Sequence, residues 1–162
     1  VTTLQDWRIA ARVHTLPAAV VPVVVGSALA VHDGVFRWDA FLLTLAAALA
    51  IQVAANFAND VSDARRGADP ASRIGPPRMV SAGRITPRQM WAGVIASLVV
   101  AAVAGVALAV IAGPVILVIG VISIIAMLGY VGGPVPYGYR GLGEVFVFLF
   151  FGVTATVGSR YV

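Results

Sequence analysis

Cysteine is absent from the 162 residues, which excludes disulfides and thiolate-bound metals. Lysine is absent too, so all eleven basic side chains are arginines. Arginine suits phosphate, because its planar fork binds two oxygens at once. A chain without lysine also follows from a GC-rich genome, so the ratio carries no weight. Charge as a whole is scarce: 11% of residues carry one, against about one quarter in a soluble domain. Hydrophobic residues make up 60% of the chain and the mean hydropathy is +0.95. That composition excludes a soluble globular domain and describes an integral membrane protein, whose apolar surface lipid covers. No internal repeat and no low-complexity tract is present.

The few charges are unevenly placed. Three of the seven acidic residues and six of the eleven arginines fall between Asn56 and Arg88, while Gln89 to Tyr139 carries no formal charge. Around that island the apolar segments 13–31, 40–58, 90–112, 115–131 and 145–159 are predicted membrane spans. Residues 1–12, with Asp6, Arg8 and Arg12 around Trp7, read as an amphipathic lead-in with an interfacial tryptophan. A secretory signal ending at Ala28-Leu29-Ala30 is the competing reading of the first span. Pro17, Pro22 and the spans that follow weigh against it. Gly113-Pro114 marks the turn between the third and fourth spans, and Gly132-Gly133-Pro134-Val135-Pro136 ends the fourth. The fold class is therefore all-α, a polytopic transmembrane helical bundle with about five spans and a charged loop at 59–89. With the N-terminus in the cytoplasm, Arg8, Arg12, the six loop arginines and Arg140 lie inside, and only Arg37 and Arg160 outside. Arginine bias in short loops thus predicts a multi-pass protein of the cell membrane with a cytoplasmic N-terminus.

Ionisable groups at the edge of a membrane are costly and usually functional. If the second span continues as helix past Asn59, then Asn56, Asp60 and Asp63 stand at i, i+4 and i+7 on one face, with Asn59 on the neighbouring ridge. Two carboxylates and amide oxygens are hard ligands that suit Mg²⁺, which commonly bridges carboxylates to substrate phosphates. No histidine or cysteine accompanies them, which argues against zinc. Arg65, Arg66, Arg73 and Arg78 follow at once, and metal with arginine binds a diphosphate and stabilises it as it departs. Plainer readings stand beside this one. The two acids could be solvated partners of Arg65 and Arg66, the loop arginines could be topology signals, and Gly75-Pro76-Pro77 could be a simple turn. Asn56, with Gln52 one turn earlier, is harder to dismiss, since buried amides need partners. His14 reads as structural. Tyr130 is either an interfacial aromatic or a polar group facing a cavity, Tyr137 and Tyr139 read as anchors, and Glu144 suits a helix start.

The pattern Asn56-x-x-Asn59-Asp60-x-x-Asp63 with its arginine-rich loop resembles the first aspartate-rich motif of the UbiA superfamily of intramembrane prenyltransferases. Three further stretches, Arg12 to Ala19, Arg73 to Arg78 and Gly132 to Glu144, resemble the 1,4-dihydroxy-2-naphthoate prenyltransferase branch of menaquinone synthesis. The resemblance covers nearly the whole chain. It implies a bundle of nine transmembrane helices around a central cavity, of which about five are present here. It implies Mg²⁺-dependent transfer of a polyprenyl group from polyprenyl diphosphate to 1,4-dihydroxy-2-naphthoate, with loss of CO₂ and diphosphate, giving demethylmenaquinone. By the same resemblance Asn56, Asp60 and Asp63 hold the metal, and Asp60, Asp63 and Tyr130 are the catalytic candidates. Arg12, Arg73, Arg78 and Arg140 bind the diphosphate. The expected partners are those two substrates and the lipid bilayer, with no nucleic acid. Val13 and Val135 depart from the family pattern, and Arg160 is unexpected in its span. The family's second aspartate-rich motif lies beyond the fifth span, so a missing C-terminal half is expected. Three alternatives stay open: a different acceptor such as 4-hydroxybenzoate, a transporter fragment with Asn56 and the acids lining a pathway, and a non-catalytic membrane remnant.

Overall fold

In lipid every backbone polar group must be satisfied within the chain, and apolar stretches of this length do so as helices. The computed structural model describes residues 2–67, 76–132 and 136–162, apart from the side chains of Val131, Tyr139 and Arg140. It is helical throughout its regular structure, with no strand among the described residues. Helix α1 (Leu4–Ala10) starts in a capping box, in which the Thr3 hydroxyl accepts from the Asp6 N–H and the Asp6 carboxylate accepts from the Thr3 N–H. Arg12 then takes a left-handed conformation (φ 49°) and a 3₁₀ turn, Val13–Thr15, follows. Helix α2 (Pro17–His32) begins on a proline, whose missing N–H is no loss at that position. The lead-in and α2 meet at a bend of 49°.

Helix α3 (Trp38–Arg66) has 29 residues, about 43 Å at 1.5 Å per residue. A hydrocarbon core is roughly 30 Å thick, so the last turns of α3 project beyond it. The helix runs through Asn59, Asp60 and Asp63 and stops where Gly67 adopts a left-handed conformation (φ 61°) that a side chain would resist. Helix α4 (Pro87–Ala112) opens with a second capping box, Thr86 with Gln89, and a proline in its first turn. Gly113 and Pro114 make the turn into α5 (Val115–Val131). A 3₁₀ turn, Tyr137–Arg140, leads to α6 (Gly143–Val147), a π-helical stretch (Phe148–Thr154) and α7 (Ala155–Tyr161). The last three form one apolar rod, Gly143–Tyr161.

Among the described residues three helices are long and apolar enough to cross a membrane: Trp38–Arg66, Pro87–Ala112 and Gly143–Tyr161. The first expected span reaches that standard only together with its bent lead-in, because α2 itself has 16 residues. The fourth, α5, is apolar but 17 residues long, about 25 Å, which is short for the hydrocarbon layer.

The most extensive packing is α3 against α4, and α2 lies against α7. There Gly26 sits so close that a methyl group on it would stand 2.7 Å from the Ser159 Cβ, the small-residue contact typical of membrane helices. The buried core lies at the loop end of α3 and α4, where Ala54, Phe57, Ala58 and Val61 meet Met90 and Val94, with Met79 and Ile85 from the loop and Ala10 from α1. Trp7 packs its ring edge against Phe57 at 5.4 Å. Away from this core the helices present valine and isoleucine outward: Val103 is 65% exposed and Val110 84%. At the opposite end each arginine has an acid, Arg37 with Asp39 and Arg160 with Asp33.

Helix α1 is tied to the loop by a buried acid. The Asp6 carboxylate receives the Thr3 N–H at 2.7 Å, the Thr3 hydroxyl at 2.8 Å and the Arg84 Nε at 3.0 Å. The Thr3 N–H, then its hydroxyl, then Arg84 lower the Asp6 pKa to about 2. A depressed acid contributes stability that is complete above its unfolded pKa of about 3.9 and is lost as pH falls through the folded value. In a background with Trp38→Phe and Trp91→Phe, which leaves Trp7 as the single tryptophan, its emission is expected to be constant from pH 7 to about 4 and to change between about 4 and 2. Asp6→Asn, which cannot titrate there, is expected to abolish that acid transition.

Candidate active site at the loop end of the bundle

A helix that outruns the membrane delivers its polar residues to the loop that follows. Asn56, Asp60 and Asp63 all lie on the inward face of α3 and are all buried, Asp60 to within 1% of full burial. A buried carboxylate must find donors. Asp60 finds them in the backbone of the returning loop: Oδ2 accepts from the Met79 N–H and Oδ1 from the Val80 N–H, both at 2.9 Å. These two N–H groups open the turn that closes through Ala82 N–H to Arg78 C=O, so Asp60 caps it from another element. Asp63 pairs with Arg78, the residue just before, and both are buried. Arg78, a proposed phosphate ligand, is thus brought directly onto a proposed metal ligand.

Asn56 serves a second junction. Its Nδ2 donates to the Ala11 carbonyl at 2.8 Å and to the Thr15 hydroxyl at 3.0 Å, while Gln52 Nε2 donates to the same hydroxyl at 3.2 Å. Thr15 in turn donates to the Arg12 carbonyl at 2.9 Å. Two buried amides of α3 therefore hold the sharp turn at Arg12. The arrangement fixes the amide orientation, and Asn56 Oδ1 takes no partner among the described residues.

Beside these residues a cavity of about 430 Å³ runs between α3, α4, α5 and the Gly143–Tyr161 rod. Gln52, Asn56, Asn59 and Tyr130 line one end, and Ala47, Ala48, Gly105, Gly120 and Thr44 continue it as a mostly apolar channel. From Asn59 to Thr44 is 15 residues of α3, about 22 Å. A second concavity, about 680 Å³, lies outside the bundle between α1 and the loop, lined by Arg8, Arg12, His14, Pro76 and Pro77.

Tyr130 faces the apolar cavity, and Arg12 faces the outer, basic one. Arg140 ends the 3₁₀ turn Tyr137–Arg140, its side chain outside the description, and Arg73 lies outside the described residues altogether. Sequence reasoning missed the two backbone donors to Asp60, the Thr15 hub and the Asp6–Arg84 pair. Only the hub had a signal, in the two amides one turn apart at Gln52 and Asn56.

Two carboxylates and an amide oxygen on one helix face match a hard dication in ligand type. Each Asp60 oxygen accepts a loop N–H. Among the described residues no three His, Cys, Asp or Glu side chains gather as a metal cluster on their own, so a dication here would take further oxygens from its substrate and water.

Removing the Asp60 acceptor leaves two loop N–H groups buried without a partner, at about 1–3 kcal/mol each. Asp60→Ala is expected to speed hydrogen exchange at Met79 and Val80 by tenfold or more, and Asp60→Asn, which keeps one oxygen, by less. Unchanged exchange at both amides would show that another group holds the loop.

The UbiA prenyltransferase family matches residues 19–162. The chain is 41% identical over 159 residues to a 1,4-dihydroxy-2-naphthoate octaprenyltransferase of Mycobacterium tuberculosis, covering 98% of this chain and 54% of the relative. Proteins of the same name from Mycobacterium leprae and Escherichia coli are 42% and 38% identical, over 98% and 99% of this chain and 54% of each relative. The chain therefore spans about half the length of the curated relatives it matches. No solved structure matches it.

Proposed function

This chain belongs to the UbiA prenyltransferase family, and from that premise we propose that it is the diphosphate-binding portion of an enzyme that transfers a polyprenyl group to 1,4-dihydroxy-2-naphthoate. The observation that carries the reading is the juxtaposition of a buried acid–amide–arginine cluster with a long apolar cavity on the same helix. Such a pairing fits a ligand with an anionic head and a hydrocarbon tail. The relatives' names give the acceptor, since each is called a naphthoate octaprenyltransferase.

In this reading Asp60, Asp63 and the Asn56 Oδ1 hold Mg²⁺, which when bound offsets charge on the departing diphosphate. Arg78 moves part of its charge from Asp63 to the diphosphate oxygens, and Arg12, Arg73 and Arg140 add theirs. Asp60 keeps the loop in place meanwhile, through Met79 and Val80. The allylic C–O bond breaks, and the electron pair leaves with the diphosphate. The ring carbon bearing the carboxylate forms the new C–C bond, and that carboxylate departs as CO₂, returning its bonding pair to the ring. The apolar cavity walls keep water from the allylic cation; Tyr130 lines that cavity, and this reading assigns it the place beside the reacting carbon. The arginines at the loop end face the cytoplasm of a cell-membrane protein, with the N-terminus on the same side.

In nanodiscs, farnesyl diphosphate is expected to bind the protein with Mg²⁺ and to bind at least tenfold more weakly with EDTA. The double variant Asp60→Asn/Asp63→Asn is expected to lose the metal-dependent part. If the double variant binds as the parent does, the assignment of the metal site to α3 is wrong.

A further inference from the structure

The cavity wall changes character along its length. Toward Thr44 it is aliphatic and small, with Ala47, Ala48, Gly105 and Gly120 among its residues. At the other end five aromatic rings come in: Tyr130, Tyr137, Phe146, Phe150 and Phe151. This is the end at which α3 presents Asn56, because Tyr130 and Met127 pack against the core formed around Ala54, Phe57 and Ala58. The rings are ordered among themselves. Tyr137 stacks on Phe146 with centroids 3.9 Å apart and planes inclined by 23°. Phe146 and Phe150 are 6.1 Å apart and nearly parallel, at 9°. Tyr130 meets Tyr137 edge-on at 5.6 Å.

The backbone is shaped to hold this arrangement. Gly138 lies against the Tyr130 ring, where a Cβ would stand 2.9 Å from two ring carbons, and a Cβ on Gly143 would stand 3.2 Å from the Tyr130 hydroxyl oxygen. The Tyr137 hydroxyl donates to the Ala126 carbonyl, which fixes the outer ring of the stack. The rod carrying Phe150 and Phe151 is π-helical from Phe148 to Thr154, a rare conformation that concentrates at functional sites. Rings serving only as core would be buried, whereas Phe146, Phe150 and Tyr137 are half-buried and line open volume.

We infer that the Tyr137–Phe146–Phe150 stack is the platform on which a planar aromatic acceptor lies, beside the Asn56 end of the cavity. A flexible branched hydrocarbon gains nothing from parallel ring faces and fits the aliphatic run toward Thr44. A fused-ring acceptor gains stacking on every parallel face it meets. The inference rests on the prenyl-transfer reading above and adds the acceptor's position to it.

The test is calorimetric, on the protein in nanodiscs with empty nanodiscs as blank. The probes are 1-hydroxy-2-naphthoate, a redox-stable naphthol carboxylate, and farnesyl diphosphate with Mg²⁺. Phe146→Leu and Phe150→Leu are each expected to weaken the naphthoate roughly two- to tenfold, the worth of one aromatic contact. Phe146→Tyr is expected to keep it, and farnesyl diphosphate is expected to stay within about twofold in all three. Unchanged naphthoate binding in both leucine variants overturns the inference. So does an equal loss of both ligands, which would make the rings a general wall. A parent protein that binds farnesyl diphosphate but no naphthoate overturns the platform and leaves the donor half of the proposed function standing. A parent that binds neither overturns both.

Discussion

A single carboxylate holds the functional end of this bundle together. Asp60 is buried almost completely and accepts two N–H groups from a loop that returns 19 and 20 residues later. A carboxyl group in so dry a place is tolerated only when donors reach its oxygens. The loop needs it equally, since the Met79 and Val80 N–H groups are the free ends of a turn. Asp60 reaches them because α3 outruns the membrane's apolar layer by about two turns. With the loop fastened there, Arg78 meets Asp63, Ile85 and Met79 enter the core, and Arg84 is placed for Asp6 of the first helix.

The same economy recurs on the next turns of the helix. Asn56 and Gln52 spend their N–H groups on Thr15 and Ala11, which fixes the sharp turn at Arg12 and leaves the Asn56 oxygen without a partner among the described residues. Helix α3 is thus a polar spine at one end and a smooth wall of alanines at the other. Groups held in advance by buried hydrogen bonds need no rearrangement when charge develops nearby, which is the condition for electrostatic stabilisation of a departing anion. The opposite end of the bundle looks different. Its two arginines are paired with acids, and its helix contacts are close and small, as at Gly26. The basic excess is therefore concentrated at the loop end.

Much of this was legible in the residue order, and the rest for definite reasons was not. Hydropathy alone located the apolar segments, and the i, i+4, i+7 spacing placed Asn56, Asp60 and Asp63 together, because α3 is regular through all three. Gly113-Pro114 is the turn that such a pair signals. Tyr130 could be read as interfacial or as cavity-facing, and only packing of α5 on α3 decides for the cavity. The partners of Asp60 were invisible because backbone N–H groups carry no residue identity. Asp6 and Arg84 are 78 positions apart, and no local pattern joins them. Arg160, unexplained as a sequence feature, has its reason in Asp33, which α2 carries to the same end. Helix lengths were the other shortfall: Val13–Thr15 bends away from α2, and α5 is only 17 residues long.

The central claim is that the projecting end of α3 holds a dication and a diphosphate together. Mn²⁺ shares the preference of Mg²⁺ for hard oxygen ligands and is paramagnetic, so it reports its own neighbours. The decisive measurement is the electron–nuclear double resonance spectrum of Mn²⁺ with the protein in nanodiscs and farnesyl diphosphate. The account predicts a ³¹P coupling from directly coordinated phosphate that depends on the protein. A Mn²⁺ signal that is the same with empty nanodiscs, or one without ³¹P coupling, would contradict it.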